Sequence, residues 1–119
     1  MNEKRELAER IKSFALRIIK MYTKLPKSAV AEVLGKQVLR SGTSVGAHYR
    51  EARRARSTAE FISKIEVAIQ ELDETTYWLD LIVSSEIISS GRLINLQKEA
   101  GELLAILVAS VKTAKRNKA

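Results

Sequence analysis

Cysteine is absent from this 119-residue chain, which excludes a disulfide framework and any thiolate chemistry, whether nucleophilic, redox or metal-binding. Proline occurs once, at Pro26, and glycine five times, so the punctuation that strands and hairpins need is nearly missing and an all-α fold is expected. No apolar run approaches the roughly 20 residues that span a bilayer; the longest runs from Leu103 to Ala109. Met1 opens a charged segment, Asn2 to Glu6, with no apolar signal core behind it, so neither membrane insertion nor export is expected and the chain reads as cytoplasmic. Aromatics make up 5% of residues, too few for an extended base-stacking platform. Acids are outnumbered: 14 Asp+Glu against 21 Lys+Arg leave a net charge of +7, which favours anionic company such as nucleic acid, an anionic membrane face or an acidic protein.

What is present is helical periodicity. The length suits one domain, residues 1–119, with one continuous core and no linker. Leu7, Ile11, Phe14, Ile18, Tyr22 and Leu25 share one arc, and the chain turns at Lys24-Leu25-Pro26, giving a first helix over 3–24. Leu34, Val38, Ser41, Val45, Ala52 and Ala55 define a second over 28–55. Ser57-Thr58-Ala59-Glu60 has capping-box form, in which Ser57 caps free N–H groups and Glu60 reaches back to the cap residue's own N–H. The third helix, 58–88, carries Phe61, Ile65, Ala68, Leu72, Leu79 and Val83 on its core face; Ser89-Ser90-Gly91 stops it, with Ser90 as the next N-cap candidate. The fourth, 91–114, follows through Leu93, Leu96, Ala100, Leu103, Leu107, Val111 and Ala114, and its basic tail from Lys112 is expected to fray. Short connections between helices of similar length give an antiparallel up-down-up-down four-helix bundle.

Helix three is apolar on a second side. Val67, Tyr77, Trp78, Leu81 and Ile88 lie opposite its core face, interleaved with Glu60, Glu71 and Glu74. Either these residues fold over a loop or neighbouring helix, or they form a subunit interface with a charged rim; we take Val67, Glu71, Glu74, Tyr77, Trp78 and Leu81 as the candidate interface of a homo-oligomer. Gly42 and Gly46, one turn apart on helix two, cost roughly 2 kcal/mol of helix propensity relative to alanine. A close backbone contact is expected there, within the bundle or with another subunit. No strand precedes these glycines and nucleotide-loop spacings are missing, so phosphate-loop chemistry is not read here.

Catalytic constellations are missing. His48 is the only histidine and flanks the buried arc, where a hydrogen-bonded packing role is expected. A di-metal bundle needs Glu-x-x-His on two helices, whereas this chain has His48-x-x-Glu51 once and in reversed order. Ser41, Ser44, Ser57 and Ser63 lack a general base, and Glu66, Glu71, Asp73, Glu74 and Asp80 spread around helix three instead of converging. No enzyme activity, cofactor, metal or small-molecule substrate is read from the sequence.

The densest charge is Arg50, Arg53, Arg54 and Arg56, four cations within seven positions beside the Ser57 cap. Helical spacing puts Arg50, Arg53 and Arg54 together on the outer face, with Arg56 in the turn. Arg10, Arg17, Lys20 and Lys24 form a second basic stripe on helix one. Two readings stand: solvated faces partly paired to Glu51, Glu60 or a neighbouring subunit's acids, or a candidate nucleic-acid surface contacting phosphates with little sequence selectivity. With few stacking aromatics, duplex or structured RNA fits better than an open single strand, and RNA and DNA are not told apart.

The block from Gln37 to Ala47, QVLRSGTSVGA, continued by Tyr49-Arg50-Glu51-Ala52, Arg54-Ala55, Glu60-Phe61-Ile62-Ser63-Lys64-Ile65 and Glu71, Glu74-Thr75, Tyr77-Trp78-Leu79, resembles the four-helix-bundle proteins associated with intervening sequences of bacterial large-subunit (23S) ribosomal RNA genes. More distantly it is similar to the accessory variability determinant of diversity-generating retroelements, a basic barrel of bundles that works beside a reverse transcriptase. The resemblance implies a homopentamer of antiparallel bundles without established enzymatic activity. Where such proteins commonly place asparagine before the tyrosine of the block, this chain has His48. The function read from the sequence is therefore a non-enzymatic homo-oligomer with candidate RNA or DNA backbone binding; the alternative is a structural or protein-interaction scaffold whose arginines serve subunit or partner contacts.

Overall fold

Four helices, α1 (Glu3–Thr23), α2 (Ala29–Arg53), α3 (Thr58–Ser84) and α4 (Ser90–Lys118), make up a computed structural model that describes residues 3–118. Each helix packs on the next in sequence and α1 closes the ring against α4, while among the described residues the backbones of the diagonal pairs stay more than 8 Å apart. This is the antiparallel up-down-up-down bundle. The rod measures 49 × 25 × 19 Å, as expected when its longest helix, at about 1.5 Å per residue, sets the length.

The connections explain where each helix stops. Pro26 removes an N–H and disfavours helical backbone at Leu25, so α1 ends in tight bonds from Lys24 N–H to Met21 O and from Leu25 N–H to Tyr22 O. Ser28 in extended conformation accepts from Ala31 N–H at 3.2 Å and starts α2. Ser57 does the same for α3, accepting from Glu60 N–H at 3.1 Å. Only this half of the expected capping box forms; among the described residues no bond returns from the exposed Glu60 carboxylate to Ser57. Arg54 and Ala55 fall just beyond α2, held by short-range bonds to Glu51 O and Ala52 O.

Helix α3 stops at Ser84, earlier than the expected 88. Glu86 adopts a left-handed φ of 62°, its N–H bonds Val83 O, and Ile87 N–H reaches back to Ile82 O. That is a Schellman ending with glutamate where glycine is usual, so periodicity alone ran past it. Ile88, expected on the outer face of helix three, instead closes the core from the connection. Ser90 is the first residue of α4 rather than its cap. Among the described residues the basic tail is helical, with α4 continuing to Lys118, four residues beyond the expected end. Cations at a helix C-terminus complement its dipole, and Lys115 reaches Glu66 of α3 at 3.5 Å.

The core is a stack of aliphatic layers around Phe14, with Ile18, Val38, Val45, Ile65, Leu72, Leu79, Leu103 and Leu107 fully buried. A buried polar contact joins α2 to α3: the Ser41 and Thr75 hydroxyls lie 2.9 Å apart, and Thr75 also donates to Glu71 O at 2.7 Å. Ser41 then supplies the proton between the hydroxyls, so neither buried group is left unpaired. Helices α1 and α2 meet across glycines. A Cβ on Gly42 would stand 3.0 Å from both Cγ atoms of Ile18, one on Gly46 3.3 Å from Ile11, and one on Gly35 2.7 Å from Leu25. The close contact expected for Gly42 and Gly46 lies within the bundle, against α1, and Gly35 extends it. Gly42→Val is expected to destabilise by about 1–3 kcal/mol through overpacking, seen as a lower urea midpoint; an unchanged or higher midpoint contradicts the close approach.

Candidate nucleic acid interface

The last two turns of α2 place Arg50 and Arg53 near the α1 side and Arg54 at the helix end, all exposed, while Arg56 is exposed in the turn before Ser57. Among the described residues no carboxylate pairs with any of the four. Glu51, the nearest acid in sequence, is taken: it accepts from Lys64 of α3 at 3.2 Å and lies 3.1 Å from His48 Nδ1. His48 thus has the local hydrogen-bonding role expected of it. Four unpaired guanidinium groups raise the local potential and favour an external anion.

Three of these arginines border a groove between α1 and α2, about 660 Å³ in volume. Gly46 and Ala47 keep its α2 side shallow, Lys12 stands on the α1 bank, and among the described residues Glu9 is the one acid lining it. The same missing side chains that admit α1 therefore open a furrow bordered by four cations. Tyr49 closes its buried side; burial pushes the phenol up, with Arg53 acting in the opposite direction.

The basic stripe on α1 divides. Arg10 turns to α4, donating from Nη2 to Glu99 at 2.7 Å and from Nε at 3.2 Å, with a further contact to Glu102 at 3.4 Å. Hydrogen bonding to Glu99 raises its pKa, and the fork ties the bundle's thinnest seam. Arg17, Lys20 and Lys24 lie along a second groove, between α1 and α4, where Arg92 joins them. The two grooves share no residue.

On the α2–α3 side, Arg40 sits between Glu71 and Glu74 at 3.0 and 2.7 Å, and Trp78 Nε1 donates to Glu74 at 3.4 Å. Glu71 and Glu74, expected in the charged rim of an interface, are thus held within the chain; the Glu71 bond is the main cause of the raised Arg40 pKa. Val67, Trp78 and Leu81 are half-buried over this seam. Tyr77 remains 55% exposed, its ring tilted against Trp78 at 5.2 Å. Val33, seven residues before Arg40 and so on the same face of α2, is 61% exposed. The outer α2–α3 face therefore carries uncovered apolar side chains around a paired charge cluster.

Lys12, Arg40 and Arg92 were not singled out in the sequence. Arg92 had a signal, since an antiparallel bundle brings the start of α4 beside the end of α1, where Lys20 and Lys24 lie. Lys12 had a weaker one, between Ala8 and Ala15 on the same face. Among the described residues no three His, Cys, Asp or Glu side chains gather to hold a metal ion, and no helix is long and apolar enough to cross a membrane.

Fold and surface together define a basic, antiparallel four-helix bundle with two cation-lined grooves. The chain belongs to the 23S rRNA-intervening sequence protein family, whose model matches residues 3–109. It is similar to a crystal structure of a protein of unknown function from the S23 ribosomal protein family of Bacteroides thetaiotaomicron, with 37% identity, a TM-score of 0.84, and coverage of 89% of this chain and 98% of that one. No curated protein matches it.

The Glu51 carboxyl is held below its ordinary range chiefly by the hydrogen bond and charge of Lys64. A carboxylate depressed on folding contributes stability that is present above its unfolded value and lost as pH falls through its folded value; for this exposed pair the contribution is small. In Lys64→Met, carboxyl NMR should show Glu51 titrating at higher pH with little change in the melting temperature. An unmoved titration contradicts the pairing.

Proposed function

We propose that this protein is a non-enzymatic, homo-oligomeric bundle of the cytoplasm that binds the phosphodiester backbone of RNA or DNA. Arg50, Arg53 and Arg54, with Lys12 across the α1–α2 groove and Arg56 at its end, form the principal contact. The observation that carries this reading is the absence of any ion-paired acid for these arginines among the described residues, in a bundle that pairs Arg10, Arg40 and Lys64 internally. Phosphate oxygens are the anions that forked guanidinium groups recognise best. The name of the structural neighbour's family, S23 ribosomal, adds weight to RNA as the polymer.

Self-association uses the outer α2–α3 face, where Tyr77 and Val33 surround Trp78, Leu81 and the Arg40 cluster. The family resemblance supports a pentamer. Aromatic and aliphatic side chains around a satisfied charge cluster have the make-up of an interface core. A ring would multiply every basic groove and strengthen binding through multivalency.

Charge reversal separates this reading from a scaffold whose arginines meet acids of a neighbouring subunit. In Arg53→Glu/Arg54→Glu, affinity for duplex RNA at low salt should fall at least about a hundredfold with the light-scattering mass unchanged, whereas Tyr77→Asp should dissociate the oligomer. A smaller assembly on reversing the arginines, with no loss of RNA affinity, would assign them to the subunit contact.

A further inference from the structure

We propose that the groove between α1 and α4 is a second nucleic-acid site, built for one unpaired nucleotide. Its phosphate is held by Arg17, Lys20, Lys24 and Arg92, and its base lies on an apolar floor. This rests on the backbone-binding reading above and adds to it the class of segment bound.

The two grooves differ in chemistry. Gly46 and Ala47 give the α1–α2 furrow a small-residue surface suited to a ridge of backbone. The α1–α4 groove, about 400 Å³, has Met21, Ile88, Leu93 and Leu96 beneath the four cations. These belong to the hydrophobic core, so here the core itself meets the groove. Cations above an apolar surface match a nucleotide, which has an ionised phosphate and a flat, poorly hydrated base. The volume lies within the usual range for small-ligand pockets.

The cations are placed for one ligand. Arg17, Lys20 and Lys24 recur at three- and four-residue spacing and so share a face of α1. Arg92 approaches from the first turn of α4. Among the described residues none of the four has an ion pair, and no acid lines the groove. Asn95 is also on the lining, three residues beyond Arg92; its side-chain amide makes no hydrogen bond among the described residues, leaving a donor and an acceptor for a base edge.

Arg92 also opposes its own helix. The first turn of α4 contains no acid, and a cation there faces the positive end of the helix dipole. Three further cations beside it add repulsion. A residue that costs local stability while completing a charged groove is the pattern expected of a binding site.

That conflict supplies a test that misfolding does not obscure. Arg92→Glu should raise the melting temperature, because it relieves both repulsions, and should lower affinity for a short single-stranded oligouridylate at least about tenfold. Affinity for a blunt RNA duplex should change less than about threefold, since that ligand uses the separate furrow. Arg53→Glu/Arg54→Glu should do the reverse, losing duplex and keeping oligouridylate. An abasic oligomer should bind the native protein more weakly than oligouridylate; equal affinity would remove the base from the site. Oligouridylate affinity unchanged in Arg92→Glu but lost in Arg53→Glu/Arg54→Glu would overturn the second site and leave the first. Binding of neither RNA to the native protein would overturn both.

Discussion

The close approach of α1 to α2 is the contact on which the rest of this structure depends. Gly35, Gly42 and Gly46 surrender helix propensity so that Leu25, Ile18 and Ile11 can lie almost on the backbone of α2. With α1 seated there, Phe14 and Ile18 reach the middle of the bundle and the aliphatic layers close. The same omission of side chains at the Gly46 end leaves the furrow beside Arg50, Arg53 and Arg54. One device therefore serves both packing and surface.

Charge is divided along the same lines. Cations that hold the fold are paired across seams: Arg10 to Glu99 between α1 and α4, Arg40 to Glu71 and Glu74 between α2 and α3, and Lys64 to Glu51 at the far end of that second seam. Among the described residues, those bordering the two grooves are not. A net charge of +7 is thus not spread as a uniform coat but concentrated where the helices leave room for a ligand, which is how a small bundle focuses a field. The proposed oligomer would repeat that division around a ring.

Much of the fold was legible because most local signals agreed. Apolar spacing of threes and fours, Pro26 and the Ser57 cap all point to the same four helices. The end of α3 was not legible, because its left-handed residue is Glu86 and not glycine, and Ile87 and Ile88 continue the apolar count through the turn. Helix beyond Ala114 was not legible either, because it is accompanied by the contact of Lys115 with Glu66 on a different helix. On the surface, Arg50, Arg53 and Arg54 could be placed outward from periodicity alone. The pairing of Arg10 and Arg40 could not, since it depends on the register between helices far apart in sequence. Arg92 belongs to a groove that exists only once α1 and α4 are side by side.

Phosphate binding by the groove cations is tested most directly by the salt dependence of RNA binding by the native protein. Titration of a structured RNA between low and physiological salt should give a logarithmic affinity that falls linearly with the logarithm of salt concentration. Each phosphate neutralised contributes about −0.9 to the slope on a duplex, so the Arg50 to Arg56 cluster alone predicts a slope of about −3 or steeper. A slope near zero, or no measurable RNA affinity at low salt, would contradict it.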